Sequence, residues 1–233
     1  MGNGINALRL SSKKPPTEDF YLSREHPKVK LIYFDVKGRA ELIRLILVVG
    51  EVDFQDYRAR GDWSEIKQTT PFGQLPILEY GDIKVAQSIA IARYVAKKTG
   101  LAGDTDEEQA FADMIVDHIS DQFTIVMRIF SASTPEMRLD VAKEIYKKKI
   151  PTFLKYAEDF LMDMGGTHFT GNKLSYGDIA MFNFLNMLLE DSGPFAVLQN
   201  KVDRATILNS YPHLSDLFHS VKDHPKIREY YGK

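Results

Sequence analysis

Cysteine is missing from all 233 residues. That absence excludes disulfide staples, a thiol nucleophile of the protein's own and a thiolate metal site. Any sulfur chemistry must therefore use a thiol carried by a substrate. Long apolar runs are also missing: no stretch approaches the ~18 residues that would cross a bilayer. The first 28 residues lack the apolar centre of a secretory signal and are rich in Ser, Lys and Pro. They are read as a flexible N-terminal extension. They open Met1-Gly2, as an acylation site would, but Asn6 stands where that motif wants Ser or Thr, so acylation is not expected. A cytoplasmic location is expected. An excess of one charge is lacking too. Thirty basic against 32 acidic residues leave a formal charge of -2. That offers no broad field for a polyanion, and nucleic acid is not an expected partner. The six histidines, His26, His118, His168, His213, His219 and His224, are scattered without ligand spacing, and no metal is expected.

What is there has the balance of a globular protein, 44% hydrophobic and 27% charged. Two halves of different texture follow the extension. In residues 29–100 short apolar runs alternate with helical patterns. Val29-Lys-Leu-Ile-Tyr-Phe34 is nearly continuous in apolar residues, as a strand covered on both faces would be. Gly38 to Val49 has helical spacing, and Val52 to Arg58 suits a second strand. Two short runs flank Gly81-Asp82, a hairpin signal. Gln87 to Lys98 reads as a closing helix with Ser88 at its N-cap and Gly100 beyond its end. The order β-α-β-α-β-β-α is that of a thioredoxin-like domain. Residues 101–107 look like a linker, and 108–233 an all-helical domain. Phe111, Met114, Ile115, Ile119, Ile125 or Val126, and Phe130 keep a helical period. A second long helix is expected over Glu136 to Met164, bent at Pro151. Ser175-Tyr-Gly-Asp178 reads as a capping box, with Leu174 and Ile179 placed for a hydrophobic staple.

Several of these segments together resemble glutathione transferases: Tyr33-Phe34, Gly38-Arg-Ala-Glu41, Phe72-Gly-Gln-Leu-Pro-Ile-Leu78, Gln87-Ser-Ile-Ala-Ile-Ala-Arg93 and Ser175-Tyr-Gly-Asp178. The resemblance runs from about Val29 to the C-terminus. It is nearest to the sigma class, which includes the haematopoietic prostaglandin D synthase type. It implies a homodimer that uses glutathione as co-substrate. The expected reaction is attack of the glutathione thiolate on an apolar electrophile, or glutathione-dependent peroxide reduction.

A free thiol of pKa about 8.5 is only a few per cent ionised at neutral pH. Lowering it by roughly two units takes on the order of 2.7 kcal/mol of preferential anion stabilisation. One hydroxyl donor and a nearby cation can supply that. The resemblance makes Tyr33 the donor to the sulfur and Arg39 the arginine that supports it. Gln87 and Ser88, at a predicted helix N-terminus, match residues holding the γ-glutamyl end. Trp63 and Lys67 match those at the glycyl carboxylate, assisted by Gln74. Taken alone, Trp63 suits partly buried packing as well as binding. Leu75 would pair its backbone with the cysteinyl unit, and Pro76 matches a cis-proline. Asp113, Asp117 and Asp121 repeat every four residues off the apolar stripe. By themselves they read as a solvated face, and Arg93 with Lys97 and Lys98 as the charged end of a helix. The resemblance instead sends Asp121 across a dimer cleft to the partner's ligand.

Two departures separate the chain from prostaglandin D synthases: Ser120 replaces an acid of their ion-binding cluster, and Trp63 is the only tryptophan. Residues 189–209 are longer than the family usually has there, so the second substrate does not carry over from the resemblance. A glutathione-dependent isomerase is therefore the alternative reading within enzymes. A crystallin-like or ligand-binding homologue is the alternative outside them.

Overall fold

The computed structural model describes residues 29–190 and 206–232. The polar extension 1–28, and residues 191–205 of the long segment 189–209, lie outside the described residues. The N-terminal half is a four-stranded mixed sheet. Its β1 (Val29–Phe34) runs parallel to β2 (Phe54–Ala59) and antiparallel to β3 (Ile77–Tyr80). β3 in turn pairs antiparallel with β4 (Ile83–Ala86), giving the order β2-β1-β3-β4. The two central strands face each other at Leu31 and Leu78, and neither side chain has any exposed surface. Gly81 takes φ 57 in the hairpin, as a two-residue turn with glycine first requires.

One face of the sheet is covered by α1 (Glu41–Val49), entered through a 3-10 turn at Gly38–Ala40, and by α3 (Ser88–Thr99). Ile43, Leu45, Ile46 and Leu47 of α1 are wholly buried, as are Ile91, Ala92, Val95 and Ala96 of α3. The short α2 (Trp63–Thr69) buries no residue. Gly100 ends α3 in the left-handed conformation, as expected. The start of α3 differs from expectation: Ser88 is its first residue, and Gln87 occupies the cap position without a side-chain capping bond.

The helical half comprises α4 (Asp106–Ser131), α5 (Pro135–Glu144), α6 (Ile150–Asp163), α7 (Tyr176–Leu189), α8 (Pro212–Lys222) and α9 (Pro225–Tyr231). α4 opens at Asp106, inside the stretch read as linker, because Thr105 and Glu108 form a capping box there. Its buried stripe is Ala112, Ile115, Val116, Ile119, Val126 and Ile129, while Met114 is exposed. The stripe is turned from the predicted one because α4 packs against both α7 and α3. The expected single helix over Glu136 to Met164 is two helices joined by a π turn at Ile145–Lys149. Pro151 has no N–H for the carbonyl four residues back. The chain widens ahead of it, and Ile150 N–H bonds the Ile145 carbonyl, five residues back.

α7 is buried almost all round and packs against α4, α8 and α1, so it joins the two halves. A Cβ on Gly177 would lie 2.6 Å from Ile115 Cγ2, so glycine permits this close helix crossing. The Ser175–Asp178 capping box forms as predicted. The fully buried Asp178 carboxylate accepts from Ser175 N–H at 2.6 Å, Ser175 Oγ–H at 2.9 Å and Phe169 N–H at 2.9 Å. Asp178→Ala would leave buried donors unpaired and should destabilise the fold by about 3 kcal/mol. Urea denaturation measures this, and a change below about 1 kcal/mol would contradict it.

Candidate active site

β1 delivers Tyr33 to its C-terminal end, and the turn after it folds back over the ring. Gly38 makes that possible: it has φ 45, and a Cβ there would lie 2.8 Å from the Tyr33 hydroxyl. Arg39 N–H then donates to Tyr33 Oη at 3.2 Å. With its oxygen accepting from the backbone, the hydroxyl keeps its own proton to donate elsewhere. The contact between Arg39 and Tyr33 is therefore a backbone one. The Arg39 guanidinium lies over the Phe123 ring at 4.9 Å and bonds Thr124 Oγ1 at 3.4 Å, on α4.

Arg39, Trp63, Gln74, Leu75, Pro76, Gln87 and Ser88 line one cleft of about 1010 Å³, together with Phe34, Gly73 and Ala86. Every one of those seven was singled out from sequence. The cleft forms because α2, the turn before β3 and the N-terminus of α3 all meet at the end of the sheet. The Leu75–Pro76 peptide is cis, as the resemblance implies. Trp63 opens α2 and meets Phe34 edge-on at 5.4 Å, and Phe34 meets Tyr33 at 5.5 Å. Trp63 therefore both packs and faces the cleft. Lys67 borders the cleft through Gly73, whose Cβ position lies 3.4 Å from Lys67 Cε. Gln87 has φ 72 and ψ 117, rare for a non-glycine, and its side chain donates to Gln74 Oε1 at 3.2 Å. That backbone aims the Gln87 side chain into the cleft beside the free N–H groups of α3.

A second, narrow apolar cleft adjoins the first and shares Arg39 and Ser88 with it. Leu42, Ile89, Val116, Ile119, Phe123 and Phe184 supply its walls, with Ser120 and Asn183 as polar groups. Sequence reasoning named Ile119 and Ser120 but did not read this set as a pocket. Its only signal was the apolar spacing of α1, α3, α4 and α7, which also describes plain core. Asp121 is exposed on α4 and lies outside both clefts of its own chain.

Arg93 is not a solvated helix end. It bridges α3 to α4, pairing with Asp113 at 2.8 Å and Asp117 at 3.3 Å, and Tyr176 donates to the same Asp113. Beneath the Val36–Arg39 turn lies a second charged cluster with no counterpart in the sequence reading. Arg44 is wholly buried on α1 and pairs with Glu41 at 2.9 Å and Asp56 at 3.1 Å. Its Nη1 also donates to the carbonyls of Val36 (3.2 Å) and Lys37 (3.1 Å), the residues just before Gly38. Glu41 accepts from the hydroxyls of Tyr230 (3.4 Å) and Tyr231 (3.2 Å) on α9. Burial, then the Glu41 carboxylate, pushes both hydroxyls well above the ordinary tyrosine range, so they remain donors.

A thioredoxin-like half and a helical half enclosing adjacent polar and apolar clefts define a transferase architecture, and the comparisons agree. Residues 29–97 match the family described as "Glutathione S-transferase, N-terminal domain", and residues 120–233 match "Glutathione S-transferase, C-terminal domain". The chain belongs to the glutathione S-transferase family, whose co-substrate is glutathione. It is 34% identical to glutathione S-transferase 4 of Caenorhabditis elegans, with 88% of this chain and 95% of that one covered. It is 35% identical to hematopoietic prostaglandin D synthase of Gallus gallus, covering 89% and 96%. Among solved structures, the Pi-class glutathione S-transferase of Onchocerca volvulus superposes with TM-score 0.76 at 33% identity, covering 88% and 92%. The match to a prostaglandin D synthase agrees with the sigma-like motifs.

Two outcomes follow from this geometry. Gln87→Gly relieves the backbone at φ 72 and should raise stability by about 1 kcal/mol in thermal denaturation. His118 is partly buried, with its ring 4.8 Å from Phe153. Burial pushes its pKa below the ordinary 6.5, against a smaller pull upward from Asp121. The unfolded chain takes up that proton more readily. This contribution to stability is therefore full above pH 6.5 and is lost as pH falls below it toward the lowered folded value. His118→Gln should flatten the pH dependence of the urea midpoint in that window.

Proposed function

We propose that the protein conjugates the glutathione thiolate to apolar electrophiles, with Tyr33 as the hydrogen-bond donor that stabilises the thiolate. The observation that carries this reading is the Tyr33 hydroxyl, held by the N–H of Arg39, one of the two residues that line both clefts. A donor fixed before the ligand arrives costs no reorganisation when the anion forms. Arg39 also brings a positive charge to the boundary of the two clefts. Gln87 and Ser88 hold the γ-glutamyl end, where α3 offers free N–H groups. Leu75 pairs with the cysteinyl backbone beyond Pro76, while Trp63, Lys67 and Gln74 take the glycyl carboxylate. The apolar cleft beyond Arg39 receives the electrophile, so that positioning supplies much of the rate. Reduction of peroxides uses the same thiolate.

We further propose a homodimer in which Asp121 crosses to the partner's glutathione and meets its ammonium group. The proposed division is residues 29–100 for the glutathione-binding domain and 108–233 for the core of the helical domain, with the linker read over 101–107 ending early where α4 opens at Asp106. A cytoplasmic setting suits a co-substrate that is kept reduced there.

The second reading is a prostaglandin-type isomerase, and similarity to hematopoietic prostaglandin D synthases favours it. Ser120 in the apolar cleft and the placement of the only tryptophan, Trp63, in the polar one weigh against it.

The test is the rate of glutathione conjugation to a chloronitrobenzene by the wild type and Tyr33→Phe. The variant should lose at least about tenfold, or ~1.4 kcal/mol, while still binding glutathione. Equal rates would remove Tyr33 from the centre of the reaction, and no activity in either folded protein would favour a binding or structural role. Product analysis with a lipid endoperoxide separates the isomerase. Asp121→Asn should weaken glutathione affinity about fivefold in the dimer and leave sedimentation at two copies unchanged. Full affinity would return Asp121 to a solvated face.

A further inference from the structure

The turn that carries the Gly38–Arg39 peptide onto Tyr33 is held from beneath by the last helix of the chain. Three links make the connection. Arg39 N–H reaches Tyr33 Oη at 3.2 Å, and Arg44 Nη1 holds the Val36 and Lys37 carbonyls that immediately precede Gly38. The same Nη1 bonds Glu41 Oε2 at 2.9 Å, and Glu41 accepts both α9 hydroxyls, one on each oxygen. Arg44 has no exposed surface and Glu41 only 2%, so water cannot stand in for a lost partner. The other charges facing this cluster are Asp56, which takes Arg44 Nε, and Arg58, which takes Asp56 at 2.6 Å and the Val36 carbonyl at 3.2 Å. Lys37 lies over the Tyr231 ring at 5.4 Å and pairs with Glu190 at 2.8 Å, so the turn is fastened to the helical half on its outer side as well.

We infer that Tyr230 and Tyr231 are positioning residues for thiolate activation, acting through Glu41 and Arg44 on the Val36–Arg39 turn. Without its two hydroxyl donors, the Glu41 carboxylate draws more closely on Arg44, the only remaining partner that can move. Arg44 then releases the two carbonyls it shares, and Arg39 N–H loses its alignment on Tyr33. The hydroxyl becomes a poorer donor, and the thiolate it stabilises is less populated. This inference rests on the reading of Tyr33 as thiolate donor.

The experiment follows the ultraviolet absorbance of bound glutathione thiolate against pH in the wild-type chain, in Tyr230→Phe/Tyr231→Phe and in Tyr211→Phe. Tyr211 also loses a hydroxyl bond, 3.0 Å to the Pro151 carbonyl, but within the helical half. The double variant should raise the apparent thiolate pKa by about half a unit, roughly threefold less thiolate near neutrality, with the glutathione KM changed less than about twofold. Tyr211→Phe should leave that pKa in place. An unchanged pKa in the folded double variant, or an equal shift in Tyr211→Phe, overturns the inference. If the double variant does not fold, the single Tyr231→Phe, which leaves Glu41 one hydroxyl, must show a smaller shift in the same direction, and its absence overturns the inference equally. A wild-type thiol that titrates no lower than free glutathione overturns the Tyr33 reading itself.

Discussion

A guanidinium with no exposed surface has to find its counter-charges inside the protein, since an uncompensated buried charge is among the costliest defects a fold can carry. Arg44 imposes that constraint here. Glu41 lies one turn earlier on the same helix, Asp56 comes from the neighbouring strand, and two carbonyls come from the turn after β1. Each partner belongs to a segment that borders the polar cleft or leads into it. The charge therefore does more than survive burial. It ties strand, turn and helix into one rigid frame, and Tyr33 stands at the edge of that frame.

The sheet and the chemistry are divided in a way that explains the two clefts. Turns and helix ends at one end of the sheet present backbone N–H groups and short polar side chains, which suit a tripeptide with charges at both ends. The wall formed by α4 and α7 presents aliphatic and aromatic side chains, which suit whatever the thiolate attacks. Arg39 sits on the boundary and belongs to both. The arrangement separates recognition of the constant substrate from recognition of the variable one.

Local patterns were legible in the sequence where a short segment determines its own shape. The Gly81 hairpin, the Gly100 stop and the Ser175–Asp178 cap all follow from residues within a few positions of one another. The polar cleft was legible because its residues come in compact motifs. What depended on distant packing was not. The Glu41–Arg44 cluster carried no local signal, since the tyrosines that donate to Glu41 lie nearly two hundred positions away. The stripe on α4 turned because several neighbours, α7, α5, α3 and α6, pack against it. Ser88 suited a cap by type, but the unusual backbone of Gln87 takes that position and leaves Ser88 inside the helix. The role proposed for Asp121 calls on a second copy of the chain, and its position on α4, outside both clefts of its own chain, leaves that role to the test given above.

Helix α7 has to satisfy several neighbours at once. Phe182 and Leu185 are locked in the core, and Gly177 is held to glycine by Ile115. Yet Ala180, Asn183 and Phe184 of the same helix face the apolar cleft. Most of this helix is therefore closed to evolutionary change, while a narrow strip along it can be rewritten without touching the glutathione end. A lineage meeting a new toxic compound could alter its preference at Asn183, a partly exposed position, and keep the fold that the rest of the helix maintains. Versatility in this architecture is confined to a few residues because so much else on α7 is already committed.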